Sequence, residues 1–273
     1  MRVWCNGSLL GDAGTPVLPV TDHGLTVGDG IFETIKVVDG RPFALTRHLR
    51  RLDHSAAGLG LATLDRALLH EGIEAVLAEG APTFGRLRIT VTAGPGPMGS
   101  GRGDAGPTVV VVAVPMEPQP PTTSVVTVPW TRNERSAVAG LKTTSYAENV
   151  VALARAAEQG SSEALFANTR GDLCEGTGSN VFYVVDGEVR TPTLASGCLA
   201  GVTRALAIEW FDVREVDAPL AVLERADEVF LTSTTRDIQA VARVDGRELP
   251  APGPVTRKLA EGWRLREAEG IDP

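Results

Sequence analysis

The spacing of apolar positions changes several times along the chain, and each change marks an element. In "VWCNGSLL", "FETIKVVDGRPFAL", "GRLRITVTAG" and "PTVVVVAVP" the apolar residues alternate or cluster in short stretches, which is the pattern of β-strands. Between the second and third stretches the period lengthens. Leu49, Leu52, Ala56 and Leu59 recur at helical intervals, and Leu68, Ile73, Val76 and Leu77 do so less regularly. Strands and helices mixed in this way predict an α+β arrangement. "VPMEPQPPTT" then holds four prolines, which remove donors and stiffen the chain, so it reads as a linker. The expected organisation is a small domain over 1–114, a Pro-rich linker over 115–123 and a large domain over 124–273.

Beyond the linker, "TSVVTVPW" reads as a strand. Ser145 and Glu148 have the S-x-x-E spacing of a capping box, which predicts a helix from Tyr146 to about Gln159, ended by Gly160. Ala147, Val150, Val151, Ala154 and Ala157 give that helix a narrow inward face. "EALFANTRGDLCEGTGSNVFYVVDGEVRTPT" contains three strand-like segments joined at "TRGD" and at Asp186-Gly187, the second junction being a hairpin signal. A helix over "GVTRALAIEWF", a strand pair over "ADEVFLTSTTRDIQAVARVDGREL" and a terminal helix over "PGPVTRKLAEGWRLREAE" complete the pattern.

Composition narrows the class. Hydrophobic residues make up 43% of the 273 positions and aromatics only 5%, so the cores are built from Ala, Val and Leu. A net charge of −8 opposes binding to polyanions and makes nucleic acid an unfavourable partner, while leaving room for a local basic pocket for a small phosphate. Cys5, Cys174 and Cys198 show neither disulfide nor zinc-site spacing, which fits a reducing cytoplasm. The first ten residues have no apolar leader pattern, and the longest apolar run, Val109 to Val114, is too short to span a bilayer. A soluble cytoplasmic protein without a membrane partner is expected.

Several residues could carry chemistry, and each also has a plain structural reading. Lys142 in "GLKTTSYAENV" is either a surface loop lysine or an amine whose ammonium form is disfavoured by desolvation and a helix N-terminus. Glu175 in "CEGTGSNVFYVV" ends a strand before a glycine turn that a ligand or another backbone could approach. In "AGVTRAL" the amides of Val202 and Thr203, with the Thr203 hydroxyl, suit a phosphate or form an ordinary helix start. "FLTSTTRDI" ends a strand in four hydroxyl residues, Thr232 to Thr235, which complete a phosphate shell or cap a turn. In "RPFALTRHLRRLDHSAAGLGL", Arg51 lies beside Leu52 at the edge of the buried face, from which an arginine can reach a phosphate, and Arg50 is more exposed.

Taken together and in this order, "DHGLTVGDGIFETIKVVDG…HLRRLDHSAAGLGL", "LKTTSYAENV", "EGTGSNVF", "GVTR" and "TSTTRDI" resemble the pyridoxal-phosphate enzymes of the class IV aminotransferase family. That family includes branched-chain and D-amino-acid aminotransferases and aminodeoxychorismate lyase. The resemblance covers nearly the whole chain. It implies a fold type IV enzyme of two α+β domains with pyridoxal 5′-phosphate in the cleft between them. It also implies a homodimer, since members of the family complete their pockets across a subunit interface. By resemblance, Lys142 binds the cofactor covalently and moves protons, and Glu175 faces the pyridine nitrogen. Arg51, Val202, Thr203, Ser233 and Thr234 would hold the 5′-phosphate, and Arg102, Phe32 and Tyr146 would bind the substrate, Arg102 at a carboxylate. "SGRGD" around Arg102 looks like the Gly-Arg-Gly loop of aminodeoxychorismate lyases, and no Arg-x-His pair stands in Thr92 to Thr108. The expected activity is therefore release of pyruvate and 4-aminobenzoate from aminodeoxychorismate, a folate-pathway reaction. An amino-acid aminotransferase is the alternative, and a non-catalytic phosphate-ligand protein a third.

Overall fold

The computed structural model describes residues 1–78 and 80–273. The chain divides into two compact units. One comprises Met1–Glu117, Leu141–Ser145 and Ile271–Pro273, and the other comprises Pro118–Gly140 and Tyr146–Gly270. The expected division has one cut in the linker; instead a five-residue strip around Lys142 and the last three residues belong with the first unit. Hydrogen bonding explains both, because Thr144 N donates to Gly30 O and Ala44 N to Ile271 O.

In the first unit, β1 (Arg2–Cys5), β2 (Ser8–Leu10), the short α1 (His23–Thr26), β3 (Gly30–Val38), β4 (Arg41–Pro42), α2 (Leu45–Leu59), α3 (Arg66–Leu77), β5 (Phe84–Thr92) and β6 (Thr108–Pro115) follow in order. The strands form one antiparallel sheet ordered β2-β1-β6-β5-β3-β4. Alternation puts Ile31, Ile35 and Val37 of β3, Leu87, Ile89 and Val91 of β5, and Val109 and Val111 of β6 into the core. Leu49, Leu52 and Ala56 of α2 meet them, with Leu69, Ile73 and Val76 of α3. Gly72 allows α3 to close on the sheet, since a Cβ there would stand 2.7 Å from Trp4 Cε3 and 2.9 Å from Val111 Cγ2.

In the second unit, β7 (Thr122–Arg132), α4 (Ala147–Glu158), β8 (Glu163–Asn168), β9 (Leu173–Gly176), β10 (Asn180–Val185), β11 (Glu188–Thr191), α5 (Val202–Trp210), β12 (Val213–Glu215), β13 (Glu228–Ser233), β14 (Asp237–Val244), β15 (Arg247–Glu248) and α6 (Pro254–Glu269) build a mixed sheet. Its order is β12-β11-β10-β13-β14-β7-β8-β9, with β15 on β14. Every residue of β8 and β10 is buried, which is why these stretches read as continuous apolar runs rather than alternations. Asp186 and Gly187 both have positive φ and join β10 to β11 as a two-residue hairpin, as their sequence signals.

The helix after Lys142 differs from expectation in two respects. Its N-cap is Tyr146 with no side-chain cap, because the Ser145 hydroxyl donates to Gly28 O and the Glu148 carboxylate accepts from Arg132. Its buried residues are Asn149, Ala152 and Ala156, which pack toward Val126, Val128 and Phe166, whereas Val150 and Val151 are exposed. Both faces are rich in small apolar residues, so periodicity alone could not choose between them. The face carrying Asn149 goes inward because its amide donates to Thr177 O at 2.5 Å. No helix among the described residues is long and apolar enough to cross a membrane.

Trp4 and Val111 are buried in the sheet and leave no room for a side chain on the facing helix. Gly72→Val is therefore expected to lower stability by about 1–3 kcal/mol, the usual cost of overpacking. Gly99, where an added Cβ would meet no atom within 4 Å, serves as control: Gly99→Ala should unfold at the wild-type denaturant midpoint.

Candidate active site

Lys142 is placed by main-chain hydrogen bonds. Its carbonyl accepts from Phe32 N (3.0 Å), its amide donates to Ser55 Oγ (3.1 Å), and the Thr144 hydroxyl donates to Gly28 O (2.9 Å). The strip therefore runs beside the start of β3 and against α2. Lys142 Nζ lies 4.3 Å from the centroid of the Phe32 ring, and the Arg88 guanidinium lies 3.9 Å from the same centroid. Phe32 thus carries two cations on its ring.

Arg51 belongs to the same unit and is held by a residue absent from the sequence-based candidates. Glu33 of β3 is fully buried. Arg51 Nε donates to its Oε1 and Arg51 Nη2 to its Oε2, both at 2.7 Å, and His48 Nδ1 donates to Oε2 at 2.7 Å. Burial alone would push the Glu33 carboxyl up, but Arg51 and His48 outweigh it and hold the pKa at about 2. His48 is pushed below its ordinary value by burial, aided by the charges of Arg51 and Lys142 and opposed by Glu33. A signal was available: in "IFETI" the glutamate falls on the apolar side of the alternation, where a carboxylate needs a partner.

In the second unit, Glu175 and the two phosphate-binding candidates are joined by a short series of contacts. Leu199 N donates to Glu175 Oε2 (2.9 Å), and Arg132 Nε lies 3.3 Å from Glu175 Oε1 while its guanidinium stacks on Phe166. Asn180 Nδ2 donates to Leu199 O (2.9 Å), and a Cβ at Gly201 would collide with Asn180 Oδ1. Asn180 pairs with Thr232 across β10 and β13, so α5 begins beside the strand end that carries Ser233 and Thr234. Among the described residues, no side chain caps the α5 N-terminus at Val202 and Thr203. Arg132 has no signal in the sequence, because nothing in "PWTRNE" separates it from its neighbours. Tyr146 stands at the N-cap of α4.

Arg102 sits differently from the expected substrate arm. Its Nε and Nη2 donate to the two oxygens of Asp29 at 2.6 and 2.7 Å, and Nη1 and Nη2 donate to Gly60 O and Leu59 O at 2.5 and 2.8 Å. A guanidinium in this geometry braces the Gly-rich loop against the end of α2.

The first unit thus carries a lysine amine over an aromatic ring, and the second a carboxylate held by a main-chain amide and an arginine, near an uncapped helix N-terminus. Comparison with known proteins gives the family. Residues 30–244 match the family Amino-transferase class IV, and the chain belongs to that family. It is 33% identical to a Methanocaldococcus jannaschii protein assigned as branched-chain-amino-acid aminotransferase, over 99% of this chain and 98% of the other. It is 28% identical to a D-alanine aminotransferase of Staphylococcus haemolyticus, over 96% of each chain. Among solved structures, the Thermoproteus uzoniensis branched-chain aminotransferase with norvaline has TM-score 0.89 at 29% identity, covering 97% of this chain and 93% of that one. A Legionella pneumophila protein assigned as 4-amino-4-deoxychorismate lyase has TM-score 0.87 at 25% identity, covering 96% and 98%. The fold is that of the type IV enzymes, and the protein is a pyridoxal-phosphate-dependent transaminase or lyase.

The Glu33–His48 pair sets a pH dependence. Glu33 has a folded pKa below its ordinary 4.5, so its contribution is complete above that value and lost as pH falls toward about 2. His48 is kept neutral in the fold and takes up a proton on unfolding below its ordinary 6.5, so acid again favours the unfolded chain. Thermal stability is expected to fall as pH is lowered through 6.5, and a His48→Asn variant should show a flatter dependence in melts recorded on either side of that value.

Proposed function

We propose that the chain is an amino-acid aminotransferase that moves the amino group of an aliphatic amino acid to a keto acid. The observation that carries this reading is the engagement of Arg102. The arginine that suggested a lyase loop is committed to Asp29 and to the carbonyls ending α2. Similarity to the archaeal branched-chain relatives supports the same reading.

When bound, pyridoxal phosphate supplies an electron-withdrawing ring that accepts the electron pair left on the substrate α carbon. Lys142 would hold the cofactor through its amine and, as a neutral amine, would take up and return the proton at the substrate α carbon. Its amine lies over the Phe32 ring. Glu175, held by the Leu199 amide and Arg132, would be the carboxylate that keeps the pyridine nitrogen protonated. Arg51, the amides of Val202 and Thr203, and the hydroxyls of Ser233 and Thr234 bind the phosphate. Arg88, on the same ring as Lys142, offers a cation to the substrate carboxylate, and Tyr146 lines the substrate side. We assign a homodimer as the working assembly and the cytoplasm as its location. The exposed Val150 and Val151 on α4 are consistent with association.

A lyase acting on aminodeoxychorismate is the second reading, favoured by the Legionella structure and by Gly101-Arg102-Gly103. One pair of assays separates the two. With L-valine, L-leucine or D-alanine, the loaded enzyme is expected to yield the keto acid and the pyridoxamine form of the cofactor. Pyruvate released from aminodeoxychorismate without a keto acid, and no amino-group transfer, would establish the lyase. Arg102→Met should retain transamination, because the side chain braces a loop rather than the substrate.

Lys142→Ala is expected to fold normally, because Lys142 is tied to β3 and α2 through its main chain, and to lose all turnover. Borohydride should fix the chromophore to the wild-type protein and not to this variant. A colourless wild-type protein that takes up no cofactor would leave only a binding function.

A further inference from the structure

A fully buried carboxylate of the first unit, Glu33, takes no part in the proton transfers at the substrate. Strand β3 directs Ile31, Ile35 and Val37 into the core with α2, and Glu33 takes its place in that same alternation, with no exposed surface. A buried ion pair adds little net stability compared with apolar side chains of the same volume, because desolvation offsets the attraction. What this pair does add is direction. Two parallel hydrogen bonds of 2.7 Å fix both the plane and the heading of the Arg51 guanidinium, and His48 takes the outer lone pair of Oε2, so that the carboxylate cannot turn.

We propose that Glu33 is a positioning residue for the cofactor phosphate, acting through Arg51, with His48 holding the carboxylate in register. The inference rests on Arg51 as a phosphate ligand. Arginine carries its charge on a long side chain that samples many rotamers, and an arginine preset in one of them gives up less freedom on binding. Replacing Glu33 by glutamine keeps size and shape but puts an amide nitrogen, a donor, where the carboxylate accepts from Arg51 or His48. The fork then loses one prong while the fold keeps its volume.

The test compares two cofactors on the full-length protein, stripped and reloaded: pyridoxal 5′-phosphate and pyridoxal, which lacks the phosphate. Glu33→Gln is expected to weaken binding of the phosphorylated form about tenfold or more, the scale of one charge-assisted hydrogen bond. Binding of pyridoxal should stay at the wild-type level. Equal weakening of both would mean that Glu33 serves the fold alone and would overturn the proposal, as would an unchanged preference for the phosphorylated form. Glu33→Asp keeps the charge but withdraws it by one methylene, so it should lose part of the preference. If Glu33→Gln does not fold, this variant decides, a wild-type preference counting against the proposal. Arg51→Gln separates the two levels of inference. A lost preference there beside an intact one in Glu33→Gln overturns only the role of Glu33, and an intact preference in Arg51→Gln overturns the phosphate assignment and the role of Glu33 with it.

Discussion

The proposed chemistry of this protein depends on a few hydrogen bonds that fasten the strip Leu141–Ser145 to the beginning of β3. Phe32 N donates to Lys142 O and Thr144 N to Gly30 O, so the main chain of the strip is held as an extra strand segment is held. Lys142 Nζ lies 4.3 Å from the centroid of the Phe32 ring. Fixing the backbone by hydrogen bonds of its own is what a residue needs if its side chain must make and break a covalent link without disturbing the fold. The closeness of Leu141 to α2 is part of the same design, since a Cβ at Gly58 would stand 2.6 Å from Leu141 Cδ2.

Charges inside the two units follow one rule. Each buried or half-buried carboxylate that matters is held by at least two polar partners. Glu33 has Arg51 and His48, and Glu175 has the Leu199 amide and Arg132. Glu163, buried in β8, accepts from Thr177 and Ser179 and so fixes the turn that follows Glu175. In a low-dielectric interior an isolated carboxylate would take up a proton, and paired donors keep it as an acceptor with a fixed direction. The net charge of −8 describes the surface and says nothing of this internal order.

Much of the fold could be read from the chain. The helical spacing of Leu49, Leu52 and Ala56 matches the buried face of α2, and the hydroxyl-rich end of β13 and the glycine before α5 stand where their motifs put them. These features are local, and local features depend on neighbours a few residues apart. The inward face of α4 was not legible for the opposite reason: two faces of similar apolarity compete, and the choice rests on Asn149 reaching Thr177, 28 residues away.

By itself the sequence determined the family and the element types, because those follow from residue type and short spacing. Tertiary structure decided which charges are partners. Glu33 with Arg51, Arg132 with Glu175, and Arg102 with Asp29 are separated by 18, 43 and 73 positions, and helix packing, strand pairing and loop folding respectively bring them together. An arginine in a glycine-rich loop looks the same in sequence whether it awaits a substrate or braces a helix end. Only the folded chain shows which carboxylate it meets.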